Sequence, residues 1–335
     1  VEVDIKESQR SSRRPKQVIQ SLLTIIVIFV FAYYLWTVRG ELTAALSRLG
    51  VVNLLPIITS ILLQWVLRAF RDHAIYTAIG HDVGLFSCFY INNIQTLMNN
   101  LPMKAGTVWT ALYLKRRHKI SYGSALLTIT FQSVFILMAS CFCAAMALIL
   151  NASAQGPSVD AAIVVFLSIF AVAFAAISIK IPTALLPLAI ARRLEVLAES
   201  SQLIKRDLYR SLFSLALSFG MYLVSSWRIA ELYSLTGSEL SWSDALVIGA
   251  TANLGVMVAF TPAALGIREF FVGVSSVVLS LGVEQGVVVS SIERVIVLAF
   301  GVVLAIILWR PHQLFLSAQS KQSSDRASSP DNSTS

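Results

Sequence analysis

Charged residues are scarce in this chain. They make up 13% of its 335 residues, against 56% hydrophobic, and the mean hydropathy is +0.74. That balance excludes a soluble globular domain and fits an all-α, polytopic helical membrane protein. Cysteine is nearly missing: Cys88, Cys141 and Cys143 all lie in apolar stretches, with neither a metal spacing nor a disulfide framework. They read as small hydrophobes packed between helices. The four histidines, His73, His81, His118 and His312, stand near loops and form no ligand pair, so no metal and no cofactor is expected. The absence of a Walker A motif excludes an ATP-driven pump within these residues. No Ser-His-Asp order, His-Glu-x-x-His or Asp-x-Asp pair is there to carry catalysis, and enzyme activity is not expected. The net charge of +8 does not point to nucleic acid, because the basic residues fall in short runs between apolar segments, where they set membrane orientation.

Long apolar runs are what the chain does have. A span needs roughly 20 mostly apolar residues. The sequence offers 18–38, 51–70, 121–150, 161–179, 211–233 and 286–309, about six full spans. Residues 1–17 form a basic arm expected in the cytoplasm, and 18–38 reads as a retained first span rather than a cleaved leader. The Ser- and Asp-rich stretch 310–335 is expected to be a disordered cytoplasmic tail, which leaves 18–309 as one transmembrane domain.

Two less regular apolar segments, 84–114 and 244–283, are interrupted alike. Pro102 to Gly106 breaks the first and Pro262 to Gly266 the second, each as Pro-x-x-x-Gly, 160 residues apart (262 − 102). Proline removes a backbone donor and glycine permits a sharp reversal. Irregular backbone survives in a membrane only where protein or a water-filled cavity covers it, so matched breaks point to a buried polar site.

Charge predicts the threading. The arm (Lys6, Arg10, Arg13, Arg14, Lys16), the run Lys104, Lys115, Arg116, Arg117 and Lys119, and the stretch from Lys180 to Arg210 are placed in the cytoplasm. Arg68 and Arg71 after the second span, and Arg310, Lys321 and Arg326 after the last, join them, making 21 of the 26 Lys and Arg. The loops 151–160 and 234–243 carry no Lys or Arg, as external loops should. Segment 84–114 must then return to the side it entered, its second limb (107–114) reaching only ~12 Å as helix; 244–283 does the same from the opposite side. Half-repeats of about 18–150 and 161–309 have opposite orientations, a probable inverted repeat of the kind common in transporters. At the 160-residue offset Arg68 matches Arg228 and Asn93 matches Asn253.

The candidate site residues are the intramembrane charges. Arg228, Arg268, Glu269, Glu293 and Arg294 all fall in or beside apolar segments, and an arginine at mid-bilayer costs ~3 kcal/mol even on the mild insertion scale. Glu231 lies three residues after Arg228 and can meet it on one helix face. Adjacent residues on a helix point about 100° apart, so the favoured pairs cross between helices: Arg268 with Glu293, and Arg294 with Glu269. Such pairs can simply knit a bundle together. Three arginines beside a helix break also suit an anionic group such as a lipid phosphate, helped by the N-terminus of a helix starting near Ile267. Asn92, Asn93, Gln95, Asn99 and Asn100 crowd the approach to the first break and read as a hydrated cavity lining; bundle-facing amides can equally act as packing glue. Most of the six tryptophans, among them Trp36, Trp65 and Trp242, read as interfacial anchors.

The stretch from Leu101 to Lys115 (Leu-Pro-Met-Lys-Ala-Gly-Thr-Val-Trp-Thr-Ala-Leu-Tyr-Leu-Lys) resembles the Pro-x-x-Ala-Gly motif of the lysylphosphatidylglycerol synthase transmembrane-region family, also called flippase-like proteins. Thr261-Pro-Ala-Ala-Leu-Gly-Ile-Arg-Glu269, with Gly282, Val283 and Arg294, is similar to that family's second motif, usually Pro-Gly-Gly-x-Gly-x-Arg-Glu. Ala263 and Ala264 stand where glycines are usual, and Thr107 where an acidic residue often follows. The resemblance covers about 18–309. It implies a bacterial inner-membrane protein, with both termini cytoplasmic on the charge count, that handles lipids in envelope biogenesis, without the soluble domain that makes the aminoacylated lipid in fused members. It places Pro102, Gly106, Pro262, Gly266, Arg268, Glu269 and Arg294 at motif positions.

The expected function is flippase-like translocation or handling of an anionic phospholipid or lipid-linked glycan. Its partners would be membrane lipids, with a lipid-biosynthetic enzyme or glycosyltransferase as a further one. The alternatives are a secondary transporter of a small anion, with Glu231, Glu269 and Glu293 as coupling groups, a non-catalytic accessory subunit of a glycosyltransferase complex, and a membrane-embedded transferase.

Overall fold

The structure, a computed structural model, describes residues 36, 50–100, 105–151, 157–178, 207–258, 264, 266–279 and 281–328. The expected first span 18–38 apart from Trp36, Pro102, Pro262 and the stretch 179–206 lie outside the described residues.

Every regular element among the described residues is a helix. In chain order they are α1 (Val51–Ala78), α2 (Leu85–Met98), α3 (Ala105–His118), α4 (Tyr122–Leu150), α5 (Pro157–Ser178), α6 (Leu208–Leu235), α7 (Trp242–Val258), α8 (Ile267–Val278) and α9 (Val283–Ser328). Four of them contain stretches long and apolar enough to cross a membrane, namely Asn53–Ala78, Tyr122–Leu150, Leu208–Leu235 and Val283–Leu308. Local signals place several starts. Ser121 caps α4 by accepting from the Ser124 N–H at 3.1 Å, and Asp207 caps α6 by accepting from the Arg210 N–H at 3.1 Å.

The two interrupted segments form helical pairs, α2 with α3 and α7 with α8. At 14 residues each, α2 and α3 reach about 21 Å, and the 12 residues of α8 about 18 Å, short of the ~30 Å hydrocarbon core. The second limb of the first hairpin is longer than expected, beginning at Ala105 and running to His118, yet still too short to cross.

The packing is built twice. α1 lies against α6 at the centre. Around that pair, α1–α2 has its counterpart in α6–α7, α2–α9 in α7–α4, α3–α4 in α8–α9, and α4–α6 in α9–α1. This is the contact pattern of an internal repeat, with α1 and α6 as equivalent helices. The starts of α1 and α6, and of α2 and α7, lie 157 residues apart (208 − 51 and 242 − 85). The 160-residue match of Arg68 with Arg228 therefore holds only to within one helical turn.

The core joins both halves. Ile57, Ile61 and Trp65 of α1 pack with Ile229, Leu232 and Tyr233 of α6, Ile248 of α7, Val272 of α8 and Ile292 of α9. A second cluster uses small residues of α4, including Ala139, Cys141 and Ala144, against Tyr222, Val247 and Ala250. Outward faces carry apolar side chains instead, such as Val172 and Ile306, each 70% exposed. Exposed aliphatic residues around buried arginine, glutamate and asparagine suit lipid as the solvent.

Three expectations are corrected here. Arg68 and Arg71 do not flank a span ending at 70: α1 continues to Ala78, and Arg71 is buried, its guanidinium 2.9 Å from Asp72. A carboxylate next in sequence lets the arginine stay inside the helix bundle. Trp65 is no interfacial anchor but a core residue stacked on Phe300 at 5.7 Å. The stretch 310–328, expected to be disordered, continues helix α9, because a helix already nucleated in an apolar segment adds residues at little cost.

Candidate functional site

The intramembrane charges gather into one cluster between α1, α6, α8 and α9. Glu293 of α9 sits at its centre. Its Oε1 accepts from Arg228 Nε, with Arg228 Nη2 also at 2.8 Å, and its Oε2 accepts from Arg268 Nη2. One carboxylate thus bridges arginines from α6 and α8. Arg228 is fixed further by donating from Nη1 to Gln64 Oε1 of α1 at 2.8 Å. Arg294, on the neighbouring position of α9, donates from Nη2 to Glu269 Oε1 at 2.6 Å. Both cross-helix pairs favoured by the helical spacing are formed.

The second break organises the other end of this network. Gly266 has φ +78° and stands at the N-terminus of α8. Glycine enters this left-handed region without the Cβ clash that other residues meet. The Gly266 N–H donates to Glu269 Oε2 at 2.8 Å, the reciprocal half of a capping box. Glu269 therefore closes the helix start with one oxygen and holds Arg294 with the other. The N-terminus of α8, expected to meet a ligand, spends this donor on its own glutamate. Ala264 has φ +58° and is buried, which gives a steric reason for the glycine usual at that position of the motif.

Burial makes the cluster costly to disturb. Glu269 is 1% exposed, Glu293 4% and Arg228 5%. The three arginines meet two carboxylates, so one positive charge is left over. The excess falls on Arg228 and Arg268, which share Glu293, whereas Arg294 has Glu269 to itself but keeps Nε and Nη1 buried without a partner among the described residues. Buried guanidinium donors left unpaired are the strongest sign of an anion-accepting position here.

Glu231 departs from expectation. It accepts from Trp227 Nε1 at 2.9 Å, while Arg228 turns to Glu293 and Gln64. Glu293 offers a buried partner, which strengthens the pairing more than a half-buried glutamate on the same helix does. Gln64 went unnoticed in the sequence, although a glutamine inside an apolar span is itself a signal.

In the first half Asn93 is buried and donates from Nδ2 to the Gly301 carbonyl of α9 at 3.2 Å. Asn100 donates back to the Thr96 carbonyl at 3.0 Å and closes the end of α2. Asn99 is half-buried, its Oδ1 unpaired among the described residues. It lies beside Gly106: a Cβ there would stand 2.6 Å from that oxygen and 2.2 Å from the Gln95 carbonyl. Glycine is thus required where α3 turns back on α2. These asparagines stay separate from the arginine cluster. No group of three His, Cys, Asp or Glu side chains is placed to hold a metal among the described residues.

The family described as lysylphosphatidylglycerol synthase TM region has a model that matches residues 18–307. No curated protein matches the chain.

Proposed function

The chain belongs to the lysylphosphatidylglycerol synthase TM region family, and on that premise we propose that it moves or handles an anionic lipid, a phospholipid or a lipid-linked glycan, across the membrane during envelope biogenesis. The observation that carries this reading is the buried charge cluster, which holds one more arginine than it has carboxylates and leaves two guanidinium donors of Arg294 unpaired. A phosphate is the partner such donors accept best.

The headgroup phosphate would enter between the two hairpins and meet Arg294 first. Arg268 and Arg228 would stay on Glu293 and act on the phosphate through their charge rather than bind it outright. Glu293 and Glu269 keep the empty site near neutrality, which lowers the cost of holding three arginines inside the bundle. The acyl chains would stay in lipid beside the apolar outward faces. Rocking of the two repeats about the α1–α6 contact would expose the cluster to either side in turn. Other roles are assigned to the first half, where Asn93, Asn99 and Asn100 line the path, and Gly106 and Gly266 stand at the two reversals. The membrane is the bacterial inner membrane, with both termini in the cytoplasm.

The test is leaflet transfer in vesicles reconstituted with the purified protein. Arg294→Gln keeps a donor for Glu269 and removes the charge, and transfer is compared on the fraction that folds in detergent. Transfer of an anionic lipid is expected to fall by about tenfold or more, the worth of one charge-assisted hydrogen bond. Unchanged transfer in a folded Arg294→Gln protein would rule out this mechanism. Uptake of a water-soluble anion in place of lipid transfer would assign the protein to the secondary transporters.

A further inference from the structure

The two halves differ at one place where the repeat would make them alike. Where α1 ends and α6 begins, beside α4, the surface carries a groove open on its outer side, with about 280 Å³ of space in and over it. Ile75 and Ala78 of α1, Phe131 and Phe135 of α4, and Ser214 of α6 line it, and Arg210 joins them from the first turn of α6.

The repeat shows how the groove arises. α1 and α6 begin 157 residues apart, and α4 and α9 begin 161 apart (283 − 122). At those offsets Ile75, Phe131 and Phe135 correspond to Leu232, Ile292 and Ile296, which are also large and apolar. Ala78 and Ser214 correspond instead to Leu235 and Ile57. Ile57, Leu232 and Ile292 are buried together in the main core, with Leu235 and Ile296 packed against it. A leucine and an isoleucine thus fill that junction, whereas an alanine and a serine leave this one open.

The open junction also gains a charge, since Arg210 corresponds to Asn53. Arg210 Nη1 lies 2.9 Å from Asp207 Oδ2 and donates to the Thr77 carbonyl of α1 at 3.3 Å, while the side chain stays 43% exposed. Lys205 and Arg206 precede it, so residues 205–210 carry three cations and one acid. The apolar stretch of α1 ends at Ala78 and that of α6 starts at Leu208. That is the level at which lipid headgroups lie. The neighbouring Tyr209, Leu212 and Phe213 are exposed, so a lipid reaches this place from the side.

A soluble anion has no use for an aliphatic and aromatic wall, and a neutral chain has none for the arginine. We propose that the groove holds one acyl chain of an anionic phospholipid, with its phosphate on Arg210, as a lipid that stays at the α1–α6 joint and is not the one moved. Arg228 stands 18 residues further along α6 (228 − 210), about 27 Å away, which separates this lipid from the buried charge cluster. Its binding rests on the groove alone. Its control over rocking at the joint rests on the lipid-moving reading above.

The experiment places the full chain in phosphatidylcholine vesicles with phosphatidylglycerol that carries a diazirine in one acyl chain, and maps the labelled peptides after illumination. Label is expected on 75–79 and 131–135. Unlabelled phosphatidylglycerol should displace it at about tenfold lower concentration than phosphatidylethanolamine, a factor of the size one charge-assisted hydrogen bond supplies. Ser214→Ile and Ala78→Leu copy the filled junction, and each should lower the label at these positions by about tenfold. Arg210→Gln should remove the preference for phosphatidylglycerol, and Arg294→Gln should leave the label as it is. Absence of label at these positions overturns the proposal, whatever else covers the groove. Equal displacement by the two lipids, or undiminished label in both folded groove-filling variants, overturns it as well. A fall in label with Arg294→Gln overturns the separation from the moved lipid. Label intact in a protein that transfers no lipid counts against translocation and supports this site.

Discussion

At the scale of single residues, Glu293 is the position on which most depends. It neutralises Arg228 with one oxygen and Arg268 with the other. Glu293→Ala leaves two buried guanidinium groups without their carboxylate, and breaking a buried pair costs about 3–5 kcal/mol. The thermal midpoint in detergent should drop accordingly, and further than in Glu231→Ala, whose partner is a neutral indole. The Glu269–Arg294 pair offers a cleaner comparison. Removing both charges, as Glu269→Gln with Arg294→Gln, should destabilise less than Glu269→Gln alone, because the single change strands the arginine. A double-mutant cycle on the same thermal measurement checks this. Ala264 supplies a backbone test. At φ +58° and 4% exposure it tolerates glycine, whereas Ala264→Val places a β-branched side chain in the left-handed region. That substitution should cost roughly 1–2 kcal/mol or more, read as loss of folded protein on heating.

At the scale of elements, the hairpins are held by close contact more than by apolar area. α3 can turn back on α2 because Gly106 has no side chain: a Cβ would stand 2.2 Å from the Gln95 carbonyl oxygen, a backbone atom that cannot swing away. Gly106→Ala should therefore open the first hairpin and cost about 1–3 kcal/mol, the usual range for overpacking. Gly123→Ala, near the start of α4, meets nothing closer than 3.8 Å. It should be neutral or slightly stabilising. Equal melting of the two variants would contradict the close approach. The second hairpin is secured differently. Thr251 and Ser275 share a 2.7 Å hydroxyl bond between α7 and α8, and Tyr233 reaches Ser276 at 2.5 Å from α6. Polar side chains thus tie α8 to its neighbours where its outer face, at Phe270 and Val278, is exposed.

At the scale of the whole molecule, the two halves repeat one packing plan around α1 and α6, and an inverted repeat would carry the chain from one side of the membrane to the other between α3 and α7. Arg116 at the end of α3 and Glu239 before α7 are both exposed, and Cys88 and Cys141 are buried. In a Cys143→Ser background, Glu239→Cys is expected to react with a membrane-impermeant thiol reagent in intact cells. Arg116→Cys should react only after permeabilisation. Labelling of both from the same side would overturn the inverted orientation.

The helical membrane class, the two hairpins of short helices and the pairing of Arg268 with Glu293 and Arg294 with Glu269 are legible in the residues alone. These follow from hydropathy and helical periodicity, which are local properties of a chain in lipid. Only the packing of the helices on one another settles that Arg228 leaves Glu231 for Glu293 and Gln64, that Arg71 is buried, and that Trp65 belongs to the core. It also sets Arg68 against Gln95 and Thr96 of α2. Except for Arg71, which pairs with the next residue, each of these is a choice among partners far apart in sequence. Such a choice is settled by which helix surfaces are brought together and by how strongly a buried charge must be compensated there.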